Sequence, residues 1–152
     1  MIRDNFADLE RFLGQFIDRL SPRERKGLLT KIGQSLRRSN SDRIARNEEP
    51  DGGPMAARRP RPGAKRGKMF RKLRMARVLK VRATPDEVSV GFIGQAQKVA
   101  QVHHFGEEDA VGRTRDGRTI RARYLARRLL GHGRDDDRMA YDAVAQHLAP
   151  RD

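Results

Sequence analysis

Residues 55–85 read MAARRPRPGAKRGKMFRKLRMARVLKVRATP, a stretch with twelve Lys or Arg residues and no Asp or Glu. It divides the chain. The 54 residues before it carry 11 basic and 9 acidic groups, and the 67 after it carry 11 of each. Nearly all of the formal net charge of +14 therefore sits in one segment of an otherwise balanced domain. Its first half, to about Lys68, shows no period, and Pro60, Pro62, Gly63 and Gly67 would break any regular element. We expect a flexible basic arm over 55–68, inserted within a single domain spanning 1–152. Its second half opens with Met69, Phe70, Leu73 and Met75, an apolar set suited to a short helix that re-enters the body.

Upstream, Phe6, Leu9, Phe12, Leu13, Phe16, Ile17 and Leu20 recur at spacings of three and four, the stripe of an amphipathic helix. Ser21-Pro22-Arg23-Glu24 then supplies a helix start. The Ser hydroxyl can accept from the backbone near Glu24, the Glu can reach back, and Pro22 stands where a missing N–H costs nothing. A second helix is expected from Pro22 to about Arg46, with Leu28, Leu29, Ile32, Leu36 and Ile44 facing inward. Pro50-Asp51-Gly52-Gly53-Pro54 ends it. The two helices are expected to form a hairpin, with the Phe-rich first helix docking elsewhere as well.

Downstream, Leu79 and Val81 alternate with Lys80 and Arg82, Thr84 to Glu87 makes a turn, and Val88, Val90 and Phe92 alternate with Ser89 and Gly91. This reads as a β-hairpin with one buried face. Ala96, Val99, Ala100 and His103 resume helical spacing, and Gly106 stops that helix. Asp116-Gly117 marks a turn between two further short strands. Met139, Ala140, Ala143, Val144, His147 and Leu148 form a last amphipathic helix. The Asp135-Asp136-Asp137 run before it suits the positive end of the helix dipole. The class is α+β: two long N-terminal helices, a basic arm, and a small antiparallel sheet with two shorter helices.

The supply of core residues is thin. Hydrophobic residues make up 36% of the 152, matching the charged fraction, and there is no Trp. A self-sufficient domain usually has a larger apolar share, so part of the fold is expected to be completed by neighbouring subunits. With no cysteine there is neither a disulfide framework nor a thiolate metal site. No apolar run approaches the roughly 20 residues of a membrane span, and the N-terminus lacks the apolar core of a signal peptide.

Catalytic chemistry finds little support. Gly63-Ala-Lys-Arg-Gly67-Lys68 is too short between its glycines for a phosphate-binding loop, and Met69 stands where Ser or Thr should hold magnesium. His103 and His104 point to opposite sides of a helix and cannot easily share one metal ion, so structural packing accounts for them better than an acid–base centre. The Asp run could bind a cation, but helix capping explains it better. No enzyme, no cofactor, no metal site and no catalytic residue is expected. The basic stretch suits either phosphate contact, which needs no particular sequence, or docking on an acidic protein surface. A solvated loop is the bland third reading. Phe70 is its only aromatic residue, which disfavours base stacking.

Several segments together resemble the phage virion morphogenesis family, which includes tail completion proteins. They are Leu20-Ser-Pro-Arg-Glu-Arg, Lys31-Ile32-Gly33, Arg43-Ile44, Pro50-Asp51-Gly52, Val90-Gly91, Ala100-Gln-Val-His-His-Phe-Gly106, Ala122-Arg123 and Leu129-Leu130-Gly131, in order along nearly the whole chain. Where the family commonly has Trp shortly after Pro-Asp-Gly, this chain has Met55. The resemblance implies a structural protein of the virion tail and neck, made in the host cytoplasm. It would assemble as a homo-oligomeric ring, six-fold by preference, at the head-proximal end of the tail and help join tail to head. Its partners would be the tail tube and neck or connector proteins, with nonspecific contact to DNA in the channel and none with a membrane. On that reading Phe6, Phe12, Phe16, Met69, Phe70, His104 and Phe105 are candidate subunit or partner contacts. Arg58, Arg59, Arg61, Lys65, Arg66, Lys68, Arg71 and Lys72 are candidate contacts to DNA or an acidic partner. The alternative is a sequence-nonspecific DNA-binding protein acting outside the virion.

Overall fold

A computed structural model describes residues 11, 14–60, 62–63 and 68–149. Residues 14–17 are helical and end in turns at 18–20. The rest of the expected first helix, with Phe6 and Phe12, lies outside the described residues, as do Arg61, Lys65 and Arg66 in the basic arm.

The central element is the helix Pro22–Arg46, α1. Its start is the capping box expected from the sequence: the Ser21 N–H donates to Glu24 Oε2 at 2.8 Å, and the Glu24 N–H donates to Ser21 Oγ at 3.3 Å. These bonds satisfy donors that have no partner within the helix. At the other end Asn47 adopts a left-handed conformation, φ 55°, and its N–H returns to the last turn.

Strands Leu79–Ala83 (β1) and Val88–Phe92 (β2) pair antiparallel, with Val81 opposite Val90. Thr84 closes their turn by accepting from the Asp86 and Glu87 N–H groups through its hydroxyl. This hairpin lies on α1, and Gly33 sets how closely. A Cβ there would stand 2.5 Å from Val81 Cγ1 and 2.6 Å from Val88 Cγ2. The helix Gln95–Phe105 (α2) follows and stops at Gly106, whose φ is 69°. A side chain at Gly106 would also collide with the Ala126 backbone nitrogen, 2.9 Å from the Cβ position.

Strands Glu108–Arg113 (β3) and Thr119–Arg123 (β4) form a second antiparallel hairpin, with an irregularity between Ala110 and Gly112. The last helix, Asp136–Leu148 (α3), packs on α1. The α+β class holds, and among the described residues four strands are divided between two separate two-stranded sheets.

The core has two centres. Leu28, Ile32 and Val144 join α1 to α3, with Leu20, Leu36 and Val88 around them. Ile44, Met55, Met69, Leu73, Ala100 and Leu129 make the other. This second centre draws on both ends of the basic stretch. Residues 69–78 re-enter the body as a series of turns in place of the expected short helix. Phe70 adopts φ 59°, which interrupts right-handed helix, while Met69 and Leu73 still reach the core. Met75, from the same apolar set, is exposed. So is Val99, which stands on the outer side of α2.

One buried polar knot ties the fold together where α1 meets the entry to α3. Arg43 and Asp136 form an ion pair, Nη1 to Oδ2 at 2.9 Å, with both side chains almost fully buried. The Arg43 guanidinium also donates to Ser39 Oγ, Asn40 Oδ1 and the Gly131 carbonyl. Asp136 Oδ2 accepts from the Gly133 N–H at 2.6 Å. The expectation that the Asp run caps α3 is corrected here. Asp135, at the cap position, makes no side-chain capping bond, and Asp136 turns inward because a buried guanidinium needs a counter-charge.

Candidate assembly surface

The basic stretch is anchored at both ends. Met55 is buried and its N–H donates to the Asn47 carbonyl at 2.7 Å. Arg127, itself buried, donates from Nε to the Ala56 carbonyl at 2.6 Å and from Nη2 to the Ala57 carbonyl at 2.9 Å. Main-chain anchoring thus reaches Ala57. At the other end, Met69 buries in the same core as Met55. The chain between leaves and returns to one place, and Arg58, Arg59, Lys68, Arg71 and Lys72 are all exposed beside it.

Arg128 makes a second clamp on the same region. Its Nε donates to Glu49 Oε2 at 2.9 Å and its Nη2 bonds Asp51. The Gly53 N–H and the Arg128 guanidinium hold the Asp51 carboxyl below its usual range. Pro50 fits against Gly131, where a Cβ would come within 2.6 Å of the proline ring. The turn 50–54 is therefore fastened to the strap 127–131 by charge, by backbone bonds and by shape.

His103 and His104 lie beneath this clamp. The His103 ring meets Phe70 and Tyr124 edge-on, with centroids at 4.9 and 4.5 Å. Its pKa is lowered by burial first, and then by the charges of Arg127 and Arg58. His104 Nδ1 accepts from the Leu129 N–H at 3.2 Å. Burial and Arg128 lower its pKa, against an opposing effect of Glu49. Both imidazoles are placed as neutral packing elements. Of the aromatic contact candidates, Phe70 is half-buried beside His103, whereas Phe105 is 66% exposed and touches His104 by its ring alone. Phe16 lines a shallow groove on α3 with Tyr141, Val144 and Leu148.

The residues that sequence reading missed are Arg127, Arg128 and Asn40, and it assigned Asp136 to a helix cap in place of the buried ion pair. Arg127 and Arg128 look like two more surface cations in a basic chain. Only contact with residues 49–57, seventy or more positions away in sequence, gives them a role. Leu125 and the hairpin residues Val111 and Ile120 were likewise not singled out, although they are among the large apolar side chains left exposed.

Among the described residues no group of His, Cys, Asp or Glu is placed to hold a metal ion. Cationic and apolar side chains face outward around a fold in which His103 and His104 are committed to packing. Comparison with known proteins gives the family: the chain belongs to the phage virion morphogenesis family, whose model matches residues 4–149. It is 35% identical over 151 residues to tail completion protein S of Escherichia phage P2, covering 95% of this chain and 98% of that protein. No solved structure gives a significant match. The chain is a structural protein of the phage virion tail, and no described helix is long and apolar enough to cross a membrane.

Proposed function

We infer that this protein assembles as a homo-oligomeric ring, hexameric by preference, at the head-proximal end of the tail and helps join tail to head, without catalysing a reaction. The observation that carries this is the basic segment. Its two ends, Met55 and Met69, are buried in one core, so the cations between them are presented from a fixed base toward a partner. The chain-wide relationship to a tail completion protein supplies the setting. The thin apolar supply supports ring formation, because a ring subunit can bury Phe105, Leu125, Ile120 and Val111 against its neighbours. In a closed ring the exposed Arg58, Arg59, Lys68, Arg71 and Lys72 would meet a neighbour, the tail tube or DNA in the channel.

The test is direct. Purified protein is followed by light scattering and electron microscopy across concentration, and virions are searched for it by mass spectrometry. Rings in solution together with the protein at the tail–neck junction are expected. A chain that stays monomeric at high concentration and is absent from virions would sink the proposal.

A further inference from the structure

The β3–β4 hairpin stands apart from the rest of the fold. Residues 110–121 are all exposed, and no described helix or other strand packs extensively against it. Its ties to the body are at its base: a 3.7 Å ion pair from Lys98 to Asp109, and the Tyr124 ring against His103. A lone two-stranded hairpin is marginal in water, and both of its edges carry unpaired backbone groups.

The orientation of those groups follows from the ladder. The Tyr124 N–H donates to the Glu107 carbonyl. By the alternation of antiparallel pairs, the backbone groups of Glu108 and Ala110 on β3, and of Arg121 and Arg123 on β4, point outward. The Ala110 N–H confirms this, since it bonds the Asp109 side chain at 2.8 Å and not β4. A neighbouring strand's carbonyl can replace that local bond.

The two edges are oppositely charged near the body. β3 begins Glu108-Asp109, whereas β4 ends Arg121-Ala122-Arg123. Glu108, Arg121 and Arg123 share one face of the hairpin, because Glu108 is directly opposite Arg123 and Arg121 is two residues from it, and Arg121 meets Glu108 of its own chain at 3.5 Å. Edge charges ordinarily discourage pairing, but here an acidic edge and a basic edge are carried by one chain. Two hairpins pointing the same way would place β4 of the first antiparallel to β3 of the second.

We propose that the β4 edge of one copy pairs with the β3 edge of the next, with Arg123 meeting the partner subunit's Glu108, so that the hairpins join into one continuous antiparallel sheet. This deepens the ring reading and rests on it. The contact is heterologous, which lets it repeat around a closed ring, and opposite charges across paired strands favour it where like charges would oppose it.

The experiment uses two single variants of the full chain, Glu108→Arg and Arg123→Glu. Each alone places like charges across every such interface, and the assembly midpoint should rise by about tenfold or more. Mixed one to one they can alternate, and in an even-numbered ring every interface regains opposite charges. The mixture should then assemble at a markedly lower concentration than either variant alone, although the like charges within each variant's own 108–123 pair remain. As a measurement independent of the variants, the Arg121 and Arg123 amides of the wild type should exchange more slowly once assembled. Single variants that assemble like the wild type, or a mixture no better than its components together with unslowed amides, would overturn the pairing. Wild-type rings that form without rescue or slowing sink the hairpin contact alone, while a wild type that never assembles sinks the ring reading with it.

Discussion

Arg43 on α1 and Asp136 at the start of α3 are 93 residues apart in sequence and 2.9 Å apart at their charged atoms. Both are buried, and each makes further hydrogen bonds to nearby groups. Asn40 Oδ1 is shared between the Arg43 guanidinium and the Gly131 N–H, and Asp136 Oδ2 between Arg43 and the Gly133 N–H. The knot fixes α3 against α1 independently of the apolar contact at Val144.

Removing one partner should therefore cost far more than a surface ion pair. Asp136→Asn leaves a guanidinium charge uncompensated in the interior, a loss of about 3–5 kcal/mol. Urea unfolding of the variant should show the midpoint displaced accordingly.

The same pair imposes an acid dependence. Burial opposes ionisation of Asp136, but Ser39, the Gly133 N–H and Arg43 outweigh it and hold the pKa below the ordinary value. A carboxyl whose folded pKa is depressed contributes stability that is complete above its unfolded pKa, about 3.9, and is lost as pH falls through the folded one. Stability measured from pH 5 downward should fall in the wild type, and part of that slope should be missing in Asp136→Asn.

The histidines act in a higher window with the same sign. Their lowered folded pKa values mean that the unfolded chain binds protons first as pH drops below about 6.5. Stability is complete above that value and declines as pH falls toward the folded pKa values. NMR titration of His103 and His104 should place both midpoints below that of an exposed histidine. The double variant His103→Gln, His104→Gln should flatten the stability profile between pH 7 and 5.

Glycines on α1 offer a matched pair. Gly33→Ala drives a methyl into Val81 and Val88 on the hairpin beneath, and overpacking of this kind costs about 1–3 kcal/mol. Gly27→Ala meets nothing within 4 Å and should stabilise by about 0.5–1 kcal/mol through helix propensity and a less flexible unfolded chain. Thermal melts of the two should move in opposite directions.

Arg127 controls how firmly the basic segment is held at its start. Arg127→Ala frees the Ala56 and Ala57 carbonyls, each bonded to a charged donor worth about 1.5 kcal/mol or more. Limited trypsin digestion should then cleave after Arg58, the site not followed by proline, about tenfold faster than in the wild type.

Local signals fixed much of the architecture. The Ser21–Glu24 capping box, the three-and-four spacing of Leu28 and Ile32, the Asp116-Gly117 turn and the Gly106 stop all act within a few residues, and each stands where the sequence puts it. Charge segregation in 55–85 was equally legible, since it needs only counting. By contrast, Phe70 at positive φ overrode the helical spacing of 69–75, because docking two flanking side chains in a shared core outweighed local preference.

What the sequence by itself determined, then, is the set of elements, their order, and the concentration of charge in one segment. Periodicity and capping depend on neighbours three or four positions away, which a linear reading contains. Only the tertiary structure decided that Arg43 and Arg127 are buried and purposeful while Arg58 and Arg59 are not, though all four look alike in the chain. Their roles depend on partners seventy to ninety residues distant, and a buried charge is stable only where the fold brings its counterpart or its acceptors within hydrogen-bond reach.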